Sequence, residues 1–222
     1  MNPKTRLILT EDGSHTLYVE EMDEYYHSKY GAIQESKHIF IKHGWEAIER
    51  NAVSVLEVGF GTGLNALLTC LETTREQKTT HYDAIEWFPL DKTLIDKLNF
   101  TRVLQVKDHQ LFQELHELPW DRDCKISSGF TLHKMLLDFT RFVPKKKYHL
   151  VYFDAFAPGK QPEMWEEKHF NRLYHAMERD GILVTYCARG EIKRRLKRTG
   201  FKVELLAGPP GKHQMIRAIR PS

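Results

Sequence analysis

The stretch LEVGFGTGLNALL, residues 56–68, carries an apolar strand into three glycines spaced two apart, Gly59, Gly61 and Gly63, and then straight into a helical apolar pattern. A buried strand that ends on glycine lets the backbone approach a ligand closely, and the helix that follows offers unpaired N–H groups at its first turn. Two nucleotide readings fail on the spacing. A dinucleotide fingerprint needs glycine at position 64, which is Leu64, and a phosphate loop needs a Gly-Lys-Ser/Thr that does not follow. Glu57, two residues before the first glycine, would repel a pyrophosphate and suits a cationic ligand.

Outward from this stretch, apolar strand-like runs alternate with amphipathic ones. Strands are expected at 53–59, 80–87, 130–137, 149–155 and 181–187, with helical patterns at roughly 63–76, 90–98, 107–117, 162–179 and 189–199. In the fourth helical pattern Pro162 suits a first turn, and Phe170, Leu173 and Met177 give apolar i, i+3, i+7 spacing. Residues 201–220 read as two strands around Gly208-Pro209-Pro210-Gly211. Five β/α steps closed by a hairpin predict an α/β fold with a mostly parallel sheet, the pattern of class I methyltransferases: Rossmann-like, seven-stranded, last strand antiparallel. Residues 1–50 differ, with a hairpin around Asp12-Gly13 and a helical segment over 33–50, and are expected to be an extension on a main domain at 51–222.

Ligands of open α/β sheets bind at the carboxyl ends of the strands. Carboxylates stand at three such ends: Glu57, Glu86, and Asp138 after the third strand. The amino and sulfonium groups of S-adenosyl-L-methionine match Glu57, Glu86 can accept from ribose hydroxyls, and Asp138 from the adenine amine. Each feature alone has a plainer reading, a tight turn or a solvated strand end; together they point to an adenosyl cofactor. After the fourth strand, Asp154 precedes Phe156, Ala157 and Pro158. A carboxylate there can accept a hydrogen bond from an amine and stabilise charge as nitrogen becomes cationic, although an Asp at a strand end also caps helices. An alkyl amine with a pKa of about 10.4 is mostly protonated at neutral pH, so the site must select the neutral form or strip its proton.

At 222 residues, 41% hydrophobic and 28% charged, the chain suits one soluble domain. Cys70, Cys124 and Cys187 are too scattered for a disulfide framework or a zinc knuckle, which with the absence of a signal or membrane-spanning run predicts a cytoplasmic protein. The 12 histidines form no ligand pattern within any one predicted element, so no metal is expected. Net charge is only +3, yet KRRLKR (Lys193 to Arg198) and Lys145, Lys146 and Lys147 segregate cations. They would track RNA phosphates, with Lys212 and His213 adding contacts, or they are solvated faces. Phe156 and Trp165 would stack a splayed-out base, or Trp165 is core.

The segments EYYHSKYGAIQESKHIFI, VLEVGFGTGLNALL, DAIEWFPL, DAFAPGKQPEMW and GFKVELLAGPPGKHQMIRA occur in order from Glu24 to Ala218. Through them the sequence resembles the methyltransferases that complete 5-methylaminomethyl-2-thiouridine at the tRNA wobble position. In many bacteria these are the N-terminal half of a bifunctional protein whose other half is an FAD-dependent oxidase. The resemblance implies S-adenosyl-L-methionine contacts from Glu57, Gly59, Gly61, Gly63, Asn65 and Glu86, and an essential Asp154. It also implies that YYHSKYGAIQES folds over the reaction pocket with Tyr26, Gln34 and Glu35 near the substrate, and Lys160 joins the candidate substrate contacts. Two departures stand out: Leu137-Asp138 replaces the family's frequent Gly-Asp, and no FAD fingerprint is present, so a separate enzyme would supply the aminomethyl group to the tRNA anticodon stem-loop. Two other readings remain: a methyl- or aminopropyl-transferase for a small amine, and a non-catalytic RNA-binding protein with the same fold.

Overall fold

The computed structural model describes residues 4–222. Near its start, β1 (Thr5–Leu9), β2 (His15–Val19) and β3 (Glu24–Tyr25) form a small antiparallel sheet, with the β1–β2 turn at the expected Asp12-Gly13. The expected helix over 33–50 is broken: α1 (Ala32–Ser36) runs into a π-helical turn over Lys37–Lys42, and a 3₁₀ turn follows at Trp45–Ala47. Gly44 separates the two turns. A Cβ there would lie 2.4 Å from the Phe40 carbonyl oxygen, so only glycine lets the chain turn back here.

The main sheet has eight strands. They are β4 (Ala52–Val58), β5 (Thr79–Glu86), β6 (Arg122–Lys125), β7 (Phe130–Leu136), β8 (Tyr148–Phe153), β9 (Met177–Thr185), β10 (Lys202–Ala207) and β11 (Gln214–Ile219), in the order β10-β11-β9-β8-β4-β5-β7-β6. Strands β9, β8, β4, β5 and β7 are parallel, and β11 is antiparallel to both neighbours. This is the expected mostly parallel sheet with its last strand antiparallel, but of eight strands rather than seven, because β6 is added as an antiparallel edge strand against β7. Connecting helices are α2 (Leu64–Arg75), α3 (Lys92–Ile95), α4 (Phe100–Val103), α5 (Leu111–Glu117), α6 (Glu167–Ala176) and α7 (Gly190–Arg198). None is long and apolar enough to cross a membrane. The pattern expected over 162–179 divides: Pro162–Trp165 is a 3₁₀ turn, α6 stops at Ala176, and Met177 already begins β9.

Strand alternation sorts the core into two layers. Val55, Tyr82 and Tyr152 face α2 and the N-terminal segment, whose Leu17, Phe40 and Trp45 join the same cluster. Leu56, Val58, Val151 and Phe153 face α6 and α7 through Phe170, Leu173, Ile192 and Leu196. Trp165 belongs to this second layer: it is 0% exposed, packs on Phe153 at 4.8 Å between ring centroids, and donates from Nε1 to the Phe156 carbonyl at 2.7 Å. An indole with no exposed surface and its N–H already bonded is core, so a base cannot stack on it. Trp165→Ala should therefore destabilise the protein by about 3–5 kcal/mol in urea unfolding. Unchanged stability would show that the ring is not held as described.

Candidate active site

The glycine loop brings two strand ends into contact. Gly59 has φ +92°, and a Cβ there would lie 2.7 Å from the Asp154 carbonyl oxygen. The ends of β4 and β8 thus meet as they do because residue 59 has no side chain. Gly63, in the left-handed region at φ +71°, starts α2 without a side-chain cap. The next helical residue but one, Asn65, donates from Nδ2 to Asp154 Oδ2 at 2.9 Å.

Above this junction opens a cavity of about 970 Å³, which is the size class of a cofactor plus a substrate group. Gly59, Gly61, Asn65, Glu86, Asp138 and Asp154 line it together with Tyr26, Glu35 and Phe156. Seven carboxylates line it against three lysines, so its field favours cations. Glu86 is fixed by its own loop: Oε2 accepts from Gly61 N at 2.9 Å, and Oε1 from Trp87 N and Phe88 N, each at 2.9 Å. Burial raises its pKa while those backbone donors lower it, and burial prevails. Asp138 accepts from Thr140 N at 2.8 Å and caps the turn that follows β7.

Asp154 is the most perturbed acid at the cavity wall. Burial first, and then the Glu35 carboxylate, push it from an ordinary 3.8 up to about 7, against the pull of Asn65 and Lys212. Glu35 is 6% exposed, accepts from Ser28 N at 2.7 Å, and pairs with Lys212 from the β10–β11 turn. That pair ties the N-terminal segment to the last hairpin across the cavity. Tyr26 packs edge-on against Phe156 at 5.0 Å. His27 contacts Thr62 Oγ1 of the glycine loop at 2.7 Å, and burial pulls its pKa down to about 4, so it is neutral at physiological pH.

Several residues named from the sequence lie elsewhere. Glu57 is 1% exposed and outside the cavity lining, on the α2-facing side of β4 beside Asn65 and Tyr82; burial and Asp154 raise its pKa well above the ordinary value. Gln34 is exposed and points into a separate shallow groove. Lys160 is outside the cavity lining, 3.9 Å from Asp23. Trp165 is core, as described, and Gly63 acts through backbone shape. The basic clusters are partly consumed by structure: Arg195 donates to the Trp165 carbonyl, Arg198 pairs with Glu167, Lys146 with Asp83, and Lys147 reaches the His175 carbonyl. Arg194 and Lys197 remain exposed on α7, and Lys193 is half-buried there. The sequence reading missed the His27–Thr62 and Glu35–Lys212 contacts, whose partners are 35 and 177 residues apart. Only the YYHSKYGAIQES segment hinted at the first halves of both.

A family model described as S-adenosyl-L-methionine-dependent methyltransferase matches residues 105–221, just over half of the chain. The chain belongs to this family. Among curated proteins, this methyltransferase is 27% identical over 212 residues to the tRNA 5-methylaminomethyl-2-thiouridine biosynthesis bifunctional protein MnmC of Methylobacillus flagellatus, covering 90% of this chain and 33% of that protein. It is 29% identical over 224 residues to the protein of the same name from Leptospira interrogans, covering 94% and 34%. The chain thus spans about a third of the length of these curated relatives. Among solved structures, MNMC2 from Aquifex aeolicus superposes with TM-score 0.80 at 24% identity, covering all of this chain and 71% of that one. Spermidine synthase from Thermotoga maritima follows with TM-score 0.59 at 13% identity, covering 99% and 70%. At those identities the two structures speak for the fold alone.

The residues present fit the methyl donor of this methyltransferase family. The glycine bend and Glu86 suit an adenosyl group, the acid-rich wall suits its positive charges, and the buried Asn65 Oδ1 at the loop has no partner within the protein. The raised pKa of Asp154 has a measurable consequence. The folded protein holds a proton that the unfolded chain releases near 3.8, so its stability is full below that pH and falls as pH rises toward about 7. Between about pH 4 and 7, the Tm of the ligand-free wild type should fall more steeply than that of Asp154→Asn. Parallel profiles would mean that Asp154 ionises normally.

Proposed function

We propose that the chain transfers the methyl group of S-adenosyl-L-methionine to the aminomethyl nitrogen of 5-aminomethyl-2-thiouridine at the tRNA wobble position, giving 5-methylaminomethyl-2-thiouridine. The observation that carries this reading is Asp154: a buried carboxylate at the cavity wall, oriented by Asn65 and poised near neutrality. Likeness to the MnmC proteins along about nine-tenths of the chain supports the choice of substrate. Such a substrate would arrive as an anticodon stem-loop, and another enzyme would make its aminomethyl group.

Bound at the glycine loop and Glu86, S-adenosyl-L-methionine supplies an electrophilic methyl carbon. The protein's own part is to deliver a neutral amine. A protonated aminomethyl group entering beside Asp154 and Glu35 meets two carboxylates. A carboxyl with a pKa of about 7 is closer to an amine's pKa than an ordinary aspartate, so it accepts a proton at smaller cost. Once Asp154 has passed that proton on to water, its carboxylate can accept one N–H of the neutral amine and hold the lone pair in line. The same carboxylate then stabilises the cationic nitrogen that forms. Tyr26 and Phe156 form an aromatic corner for the base. Exposed Trp87 (42%) and Phe88 (64%) extend that apolar lip, and Lys193, Arg194 and Lys197 are available for phosphates.

The test is incubation with labelled S-adenosyl-L-methionine and tRNA bearing the unmethylated aminomethyl uridine, followed by digestion to nucleosides. Label should appear on that nucleoside. Asp154→Ala should cut turnover by roughly 10²–10⁴-fold while donor affinity stays within a few-fold. Label on another nucleoside, or transfer to small polyamines with no response to tRNA, would overturn the substrate assignment.

A further inference from the structure

Away from the cavity, the edge of the main sheet gathers a second group of polar side chains. The register pairs Asp83 of β5 with His133 of β7, and His133 with Asp123 of β6, so the three form one row across adjacent strands. His81, two residues before Asp83, projects from the same face of β5. His81, Asp123 and His133 each bring a ligand atom within 4.8 Å of the other two. No single element holds two of those three, which is why spacing along the sequence gives no hint of the group.

The separations are informative. His81 Nε2 lies 3.1 Å from Asp83 Oδ1 and 3.5 Å from Asp123 Oδ1, and His133 Nδ1 lies 3.4 and 3.8 Å from the same two atoms. Zinc ligands at about 2.0–2.2 Å in tetrahedral array stand about 3.3–3.6 Å from one another. The four contacts bracket that value. Two imidazoles and two carboxylates are a donor set suited to zinc and its first-row neighbours, and the two negative charges balance a divalent ion. Asp83 is also held from behind: its Oδ2 accepts from Tyr148 OH at 2.6 Å, the kind of support that orients a metal-ligating carboxylate.

We propose that His81, His133, Asp123 and Asp83 form a binding site for a divalent transition-metal ion, zinc being the best match, that clips the short edge strand β6 to β7 and β5. Lys146, whose Nζ lies 3.0 Å from Asp83, is the competing cation; its side chain is 36% exposed and has room to swing toward solvent. The clip would act on the strands that end in Glu86 and lead into Asp138, and so would stiffen one wall of the donor cavity. It is independent of the identity of the methyl acceptor.

The experiment is calorimetric titration of the full chain, stripped with chelator, with zinc chloride alone, paired with thermal melts. One ion per chain with micromolar or tighter affinity is expected. At a hundredfold excess over Kd, Tm should rise by about 5–10 °C. Asp123→Asn, at a residue whose side chain is 63% exposed and so tolerant of change, and His133→Gln should each weaken binding at least tenfold. Lys146→Gln should tighten it. Absence of heat, affinity only in the millimolar range, or one-to-one binding untouched by Asp123→Asn and His133→Gln would overturn the proposal. The last result would place the ion elsewhere, for instance at the His38–His43 pair, whose rings are 4.9 Å apart.

Discussion

The close approach of β4 and β8 at Gly59 is the constraint on which the site depends. With no side chain at residue 59, the Asp154 carbonyl can lie against the glycine loop, and its carboxylate comes within reach of Asn65 in the first turn of α2. The glycine loop and the acid proposed to handle the amine are thereby joined by a backbone contact and a side-chain hydrogen bond. A larger residue at 59 would need a positive φ it rarely adopts and would meet backbone atoms that have nowhere to go.

Around that unit the protein concentrates negative charge in a poorly solvated space. Burial raises the pKa of Glu57, Glu86 and Asp154 alike, so ionising all three without a ligand is costly. A cation relieves that cost. The ligand-free cavity already holds one such partner, the Lys212 ammonium on Glu35, brought over by the last hairpin. The site's preference for positively charged guests thus follows from the same burial that perturbs its acids. Glu57 contributes as a fixed buried acid beneath the glycine loop, on the α2-facing side of β4 beside Asn65.

Much of the fold was legible because its signals are local. The glycine triplet, the apolar strand runs and the closing Gly208-Pro209-Pro210-Gly211 turn located the parallel strands to within a residue or two at most of their ends. Strand β6 escaped because RDCK is polar, four residues long, and paired along only one side. The early start of β9 was hidden because α6 passes into it without a loop, leaving Met177 to continue the helical apolar spacing. Within the site, the acids at strand ends were readable from position alone. Trp165, Lys160 and Gln34 were not, since whether an aromatic or polar side chain lines a cavity depends on packing partners that spacing does not encode. The basic runs likewise lost Arg195, Arg198 and Lys146 to partners far away in the sequence.

At the centre of the site stands an aspartate kept from ionising by its surroundings until a cation arrives. Carbon-13 NMR of the Asp154 carboxyl across a pH titration reads this directly, first without ligand and then with S-adenosyl-L-methionine bound. A midpoint near 7 in the ligand-free protein that moves downward on binding is the expected result. A midpoint at the ordinary aspartate value of about 3.9 in both states would contradict the account.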